Sequence, residues 1–189
     1  MPSFAHRVAY QAQVVDPEQS EEFKNFLLQC SDRMFLFDVG AHFGIFSLAA
    51  AHFGGKAIAV DPSPIATRMI ARQAALNGLT KSIRIVQAAV SDESGEVELL
   101  SSGVFSDGYF KISRGGAKSE LTRTRAMTID ELAGQHGAPT HIKIDAEGQE
   151  AAVLRGGRKT LEKSSPILFL ELHNDMVSAE GGDPKFCLG

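Results

Sequence analysis

Five short apolar runs, each giving way to a loop that carries an acid, a small residue or both, constrain this chain more than any other feature. Met34 to Val39 opens FDVGAHFG, Lys56 to Val60 ends in AVDPSP, Ile83 to Val90 in QAAVSD, Ile142 to Ile144 in KIDAEG, and Ile167 to Leu172 in ELH. Apolar runs of strand length without polar alternation belong to strands buried on both faces. Helical signals fill the intervals. Ile45 to Phe53 is one; Ser63 with Pro64 starts a second, which passes Met69 and Ala74 and stops at Asn77-Gly78. Thr128 caps a third, and Gln149 to Leu161 is a fourth. Strands alternating with helices require crossover connections, so the pattern predicts an α/β fold: a doubly wound, mainly parallel sheet with helices on both faces.

Two stretches stand outside the rhythm. Asp16-Pro17-Glu18-Gln19 reads as an N-cap, an N1 proline and a capping-box partner, and Phe23, Phe26, Leu27 and Cys30 follow at helical spacing. Residues 1–33 are therefore read as an N-terminal segment whose helix covers apolar surface, and 34–189 as the ligand-binding domain. From Asp92 to Arg125, Glu96-Val97-Glu98-Leu99 alternates and glycines stand at 103, 108, 115 and 116, which points to antiparallel ribbons or a loop. No repeat or Pro/Gly/Ser-rich linker divides the 189 residues, so one domain is expected.

Charge and cysteine usage exclude several classes. Nineteen Lys and Arg against 23 Asp and Glu give a net charge of -4, leaving no basic excess to neutralise a phosphate backbone, and nucleic acid is not the expected partner. Cys30 and Cys187 lie far apart at no zinc or redox spacing and are read as free thiols. The start MPSFAHRVAY lacks the apolar stretch of a signal peptide, and no later run reaches the roughly 18 apolar residues of a membrane helix. The expectation is a cytoplasmic protein with no membrane partner.

In open parallel sheets ligands bind beyond the carboxyl ends of the strands. Gly40 and Gly44 bracket the first strand-to-helix turn, where lack of a Cβ permits a sharp bend and close approach of a ligand. Asp61 ends the second run about 20 residues later, the place of an acid that accepts hydrogen bonds from the ribose of an adenosine cofactor. Such an acid would alone more often cap the helix at Ser63-Pro64. A dinucleotide turn wants GxGxxG, whereas this one reads Gly40-Ala41-His42-Phe43-Gly44 with Asp38 two residues before it. An acid there sits badly against a pyrophosphate and well against an ammonium. Asp38 and the loop amides thus suit the amino-acid end of S-adenosylmethionine, with a nicotinamide-dependent oxidoreductase or a non-catalytic binding protein as rivals.

FDVGAHFGIFSLAAA, AIAVDPSP, ALNGL, IVQAAVSDESGEVEL, MTIDEL, IKIDAEGQEAAVLRGG and PILFLELH resemble, in order, the blocks of FkbM-type methyltransferases, from about Phe35 to His173. The resemblance implies the Rossmann-like class I methyltransferase sheet, S-adenosylmethionine as cofactor, and methyl transfer to a hydroxyl on a sugar or natural product. Carried over by position, it places the cofactor turn on Asp38, Gly40, Ala41 and Gly44, and the ribose acid on Asp61 with Pro62 beside it. The adenine pocket falls on Ala88 to Val90, Ala89 among them, with Asp92 close by. His42 stands where the family usually has Asn. Histidine tolerates left-handed backbone, so the turn survives the exchange, or the ring faces the substrate.

Methyl transfer to a hydroxyl needs a group in reach of the departing proton. Asp145 is the first candidate base and an additional cofactor contact, with Glu147 next; the alternative is that Asp145 caps the following helix while Glu147 and Glu150 favour its positive end. Glu171 and His173, at alternate positions of the fifth strand, point to one face and offer a base or two metal ligands, which alone do not make a metal site. Arg123 and Arg125 face an anionic substrate or merely water. The acceptor is expected to be a small molecule or glycan. Only residues 174–189 follow the fifth strand, so the sheet is expected to lack its last two strands, and its Ile167–Leu170 edge to pair with a second copy in a homodimer or to lie under another segment.

Overall fold

A computed structural model describes residues 17–101, 111–112 and 120–172. The elements run α1 (Pro17–Gln29), β1 (Phe35–Val39), α2 (Ile45–His52), β2 (Lys56–Asp61), α3 (Pro64–Leu76), β3 (Ile83–Gln87), β4 (Ala89–Val90), β5 (Gly95–Ser101), β6 (Lys111–Ile112), β7 (Glu120–Met127), α4 (Ile129–His136), β8 (His141–Ile144), α5 (Glu150–Gly156), α6 (Arg158–Ser164) and β9 (Ile167–Leu170). The main sheet is ordered β3-β2-β1-β8-β9, and all its strands are parallel. β1 is thus the central strand, with the topological switch between it and β8. Loops leaving these two neighbours diverge at the same end of the sheet.

Side-chain alternation sorts the two faces. Leu36 of β1 and Ala57 of β2 pack under Phe23 and Phe26 of α1 and Ala49 and Ala50 of α2, while Ala59 meets Leu48 and Ala51 of α2 and Ile70 and Ala74 of α3. Phe37, Val39, Ile58, Val60, Ile142 and Ile144 point the other way, to Ile129 and Leu132 of α4 and Val153 and Leu154 of α5. The caps behave as the sequence implies. Ser63 Oγ accepts from the amides of Ile65 and Ala66, and Thr128 Oγ1 accepts from Glu131 N.

The expected third strand, Ile83 to Val90, is instead two. β3 stops at Gln87, where it pairs with Asp61, and the chain at Ala88 crosses into a second sheet, ordered β4-β7-β5-β6. There β5 and β7 pair antiparallel from Gly95↔Ala126 to Ser101↔Glu120, the ribbon the alternation in 96–99 implies. The expected helix from Gln149 to Leu161 is broken into α5 and α6 at Gly157, where a Cβ would meet Ile129 side-chain atoms at 3.0–3.1 Å, a contact tight enough that Ile129 of α4 would have to shift. β9 ends at Leu170 rather than Leu172. Its Ile167 and Leu168, consecutive and hence on opposite faces, are 47% and 40% exposed, so this strand lacks the two-sided burial its apolar sequence implies. The Asp16 cap, His6, His173, Cys187, the four glycines at 103–116 and the chain's end lie outside the described residues.

Candidate active site

The turn after β1 is shaped by backbone that ordinary residues avoid. Gly40 and Gly44 have φ of 73° and 72°, and His42 between them has φ of 48°. A Cβ on Gly40 would stand 1.8 Å from the carbonyl oxygen of Asp145, so the β1 and β8 loops touch backbone to backbone. At Gly44 a Cβ would meet Ile70 Cγ1 at 2.9 Å, so this glycine lets α2 close on α3. Histidine takes the place of Asn with the left-handed turn intact, and its exposed ring lies against Phe43 at 3.8 Å between centroids, tilted by 48°.

The loop amides expected to meet a ligand are largely used by the fold. Gly40 N and Ala41 N both donate to Val60 O, His42 N donates to Asp61 Oδ2 at 2.8 Å, and Gly44 N donates to Ala41 O. Asp38, expected against an ammonium, is 2% exposed, and its Oδ2 accepts from Ser47 N and Ser47 Oγ at 3.0 and 2.6 Å. That oxygen anchors the first turn of α2. Burial lifts the Asp38 carboxyl above its ordinary value, with the Ser47 bonds and Lys143 opposing.

Asp61 is both a clasp and an acceptor with capacity left. Its Oδ1 takes the Ser63 amide and its Oδ2 the His42 amide, each at 2.8 Å, fixing the β1 turn to the start of α3. A carboxylate offers about four acceptor positions, so each oxygen retains one. Burial raises its pKa, opposed by these two bonds. Pro62 beside it is half-buried, and Gln87, which sequence reasoning passed over, lies exposed across from Asp61 in register. Ala88 and Ala89 are buried at the crossing into the second sheet. Asp92 is held elsewhere: its Oδ2 accepts from Arg155 Nε and a second guanidinium nitrogen of that residue at 3.3 and 3.1 Å, and although partial burial works against its charge, the arginine and Ser91 keep its pKa low. Arg123 and Arg125 are likewise taken, by Glu98 and Glu131.

The β8 loop replaces the capping alternative with a different device. α5 begins at Glu150 with Gln149 at its N-cap, so Asp145 caps nothing. Glu150 itself, fully buried, reaches back so that Oε1 accepts from Ala146 N at 3.2 Å and Gly148 N at 3.0 Å. This carboxylate staples a turn in which Glu147 has φ of 49° and Gly148 of 96°. A left-handed glutamate next to a left-handed histidine loop is backbone strain of the kind that gathers at functional sites.

Asp145 is bound instead to a residue the sequence reading did not single out. Lys143 Nζ, with only 3% of its side chain exposed, lies 3.1 Å from Asp145 Oδ2 and 3.4 Å from Glu171 Oε2, and 5.1 Å from the centre of the Phe46 ring. A lysine inside an apolar strand, two residues before an acid, was the available signal.

A crossing point beside a central parallel strand, acid-ended strands and the β3-β2-β1-β8-β9 order define the class I methyltransferase architecture. The Methyltransferase FkbM domain family matches residues 38–187, and the chain belongs to that family. Ribosomal protein L11 methyltransferase of Pelotomaculum thermopropionicum is 32% identical over 74 residues, 38% of this chain and 24% of that protein. Among solved structures, methyltransferase FkbM from Methylobacillus flagellatus KT has a TM-score of 0.57 at 19% identity, covering 82% of this chain and 38% of that one. Precorrin-6y C5,15-methyltransferase from Geobacter metallireducens has a TM-score of 0.50 at 13% identity, covering 85% of this chain and 64% of that one. The chain thus spans about a quarter of the curated relative's length and less than two fifths of the FkbM structure's.

Proposed function

We propose that this chain binds S-adenosylmethionine across the β1–α2 turn and catalyses methyl transfer to a hydroxyl of a small molecule or glycan. The observation that carries the reading is the clasp between Asp61 and His42 N: it sets a buried carboxylate with spare acceptor capacity against a left-handed turn, at the switch point of an FkbM-family sheet. The donor set fits the cofactor. Asp61 has one free position on each oxygen for two ribose hydroxyls, Pro62, Gln87 and Ala89 border the adenine side, and the left-handed Gly40-Ala41-His42-Phe43-Gly44 turn provides the surface for the methionine part. Asp38 acts there through α2, which it anchors, rather than through Oδ2 directly.

When bound, S-adenosylmethionine supplies a sulfonium-activated methyl group. The chain supplies a proton acceptor and alignment. Asp145, partly exposed beside Gly40, would take the proton of the acceptor hydroxyl while the hydroxyl oxygen gains the methyl group and the carbon–sulfur bond breaks, the thioether leaving. Glu147, held left-handed by the Glu150 staple, orients the acceptor. Methyl-labelled S-adenosylmethionine incubated with a panel of sugar and polyketide alcohols tests the reading. Label on a hydroxyl oxygen, reduced at least tenfold in Asp145→Asn, is expected; label only on nitrogen or carbon acceptors would overturn hydroxyl transfer.

A further inference from the structure

Lys143 sits where an ammonium is hard to justify as mere scaffold. It lies in the middle of a core strand with both neighbours, Ile142 and Ile144, fully buried. Replacing a buried ion pair by apolar side chains is often neutral or stabilising, so packing alone gives no reason for it. Strand alternation explains the company it keeps. Asp38 is its register partner on β1 and Phe169 its partner on β9; Asp145 lies two residues beyond Lys143 and Glu171 two beyond Phe169, and both carboxylates reach the ammonium. From above, α1 brings Glu22, one turn before Phe26, whose ring meets Phe46 at 4.8 Å and Phe169 at 5.3 Å. Glu22 Oε1 is buried without a hydrogen-bond partner. Glu22 lies outside the stretch that matches the family.

We propose that Lys143 is the positioning residue of the site, a single buried ammonium that holds the carboxylates of Asp145 and Glu171 side by side and faces Glu22 of α1, so that α1 is part of the catalytic assembly rather than a cover. The inference rests on the methyl-transfer reading, in which Asp145 is the base. Without the ammonium, two carboxylates leaving adjacent strands would repel and turn apart, since Glu171 N is bonded to Ile144 O and fixes the two backbones together. The groups facing the cluster are Lys143 on β8, Asp145 just after it, Glu171 after β9, Glu22 on α1, Asp38 on β1, and His42 and Asp61 around Asp145. Burial works against the charge on Lys143, but Asp145, Glu22 and Glu171 outweigh it and lift its pKa above the ordinary value. Burial also raises Glu22, and the Lys143 ammonium opposes that rise.

Nitrogen-15 lysine labelling of the whole chain tests this without an acceptor. The wild type should show a Lys143 ε-ammonium signal protected from exchange at neutral pH and titrating above 10.5, the ordinary lysine value. Asp145→Asn should lower that midpoint most, with Glu22→Gln and Glu171→Gln lowering it less. In carbon-13 spectra, Lys143→Met should move the Glu22 titration further up, and Lys143→Arg should restore it; if Lys143→Met does not fold, the three carboxylate variants carry the test. A wild-type Lys143 that titrates at or below 10.5, or one unmoved by Asp145→Asn, would overturn the proposal. Calorimetry of the wild type with S-adenosylhomocysteine, run in parallel, separates the two ideas: no binding sinks the methyltransferase reading and leaves the lysine measurement standing by itself.

Discussion

Gly40 and Asp145 are in backbone contact: a Cβ on the glycine would stand 1.8 Å from the Asp145 carbonyl oxygen. Read from the sequence, Gly40 lacks a Cβ so that a ligand can approach the backbone, which puts binding ahead of folding in the need for glycine. The contact reverses that order, because the obstacle is the neighbouring main chain and φ is 73°. Gly40→Ala should destabilise the protein by about 2 kcal/mol or more, read as a lowered urea midpoint with unchanged slope. A variant of full stability that fails only in ligand binding would contradict this.

Glu150→Ala should unfasten the loop that presents Asp145 and Glu147. It leaves the amides of Ala146 and Gly148 without their carboxylate, at a position fully closed to solvent. Each abandoned donor costs about 1–3 kcal/mol, so a loss of ~2–6 kcal/mol is expected for the two, and Glu150→Gln, which keeps one acceptor oxygen, should lose less. Equal losses in the two variants would show that the staple is not the source.

Most of the main sheet and the order of the acid-ended strands were legible in the sequence, because buried parallel strands write themselves as apolar runs and helix starts carry their caps. Ser63-Pro64 and Thr128 are cases where one side chain announces the element that follows. The misplaced elements share a cause: tertiary contacts override local pattern. Ile83 to Val90 reads as one strand, yet its two halves join different sheets: Ala88 N still donates to Asp61 O of β2, while Ala89 and Val90 pair with Ala126 and Met127 of β7. Asp92 pairs with Arg155, sixty-three residues away, a partner no local pattern announces. Lys143 is a partial case, with its place in an apolar strand two residues before Asp145 as the one local sign. Nothing local reveals that α1 and β9 place two more carboxylates around it.

The buried Asp38 carboxyl, raised by burial, gives stability a pH dependence opposite to that of a salt-bridged acid. Between the unfolded value of about 3.9 and its higher folded value, the native chain holds a proton that the unfolded chain has released. Stability from this group is therefore present at low pH and lost as pH rises through that window. The wild type should lose ground to Asp38→Asn in urea unfolding between pH 4 and pH 7. A constant difference across that range would contradict the sign.

The most direct test of the central claim is calorimetric titration of S-adenosylhomocysteine into the wild type and Asp61→Ala, with urea unfolding of both. Asp61 Oδ2 holds His42 N and Oδ1 holds Ser63 N, so some stability will be lost whatever the ligand does. The ribose role adds two charge-assisted hydrogen bonds, each worth about 1.5–3 kcal/mol, and a variant still folded at the assay temperature should bind at least a hundredfold more weakly. Wild-type affinity in folded Asp61→Ala, or no binding by the wild type, would contradict a cofactor lying across the β1 turn.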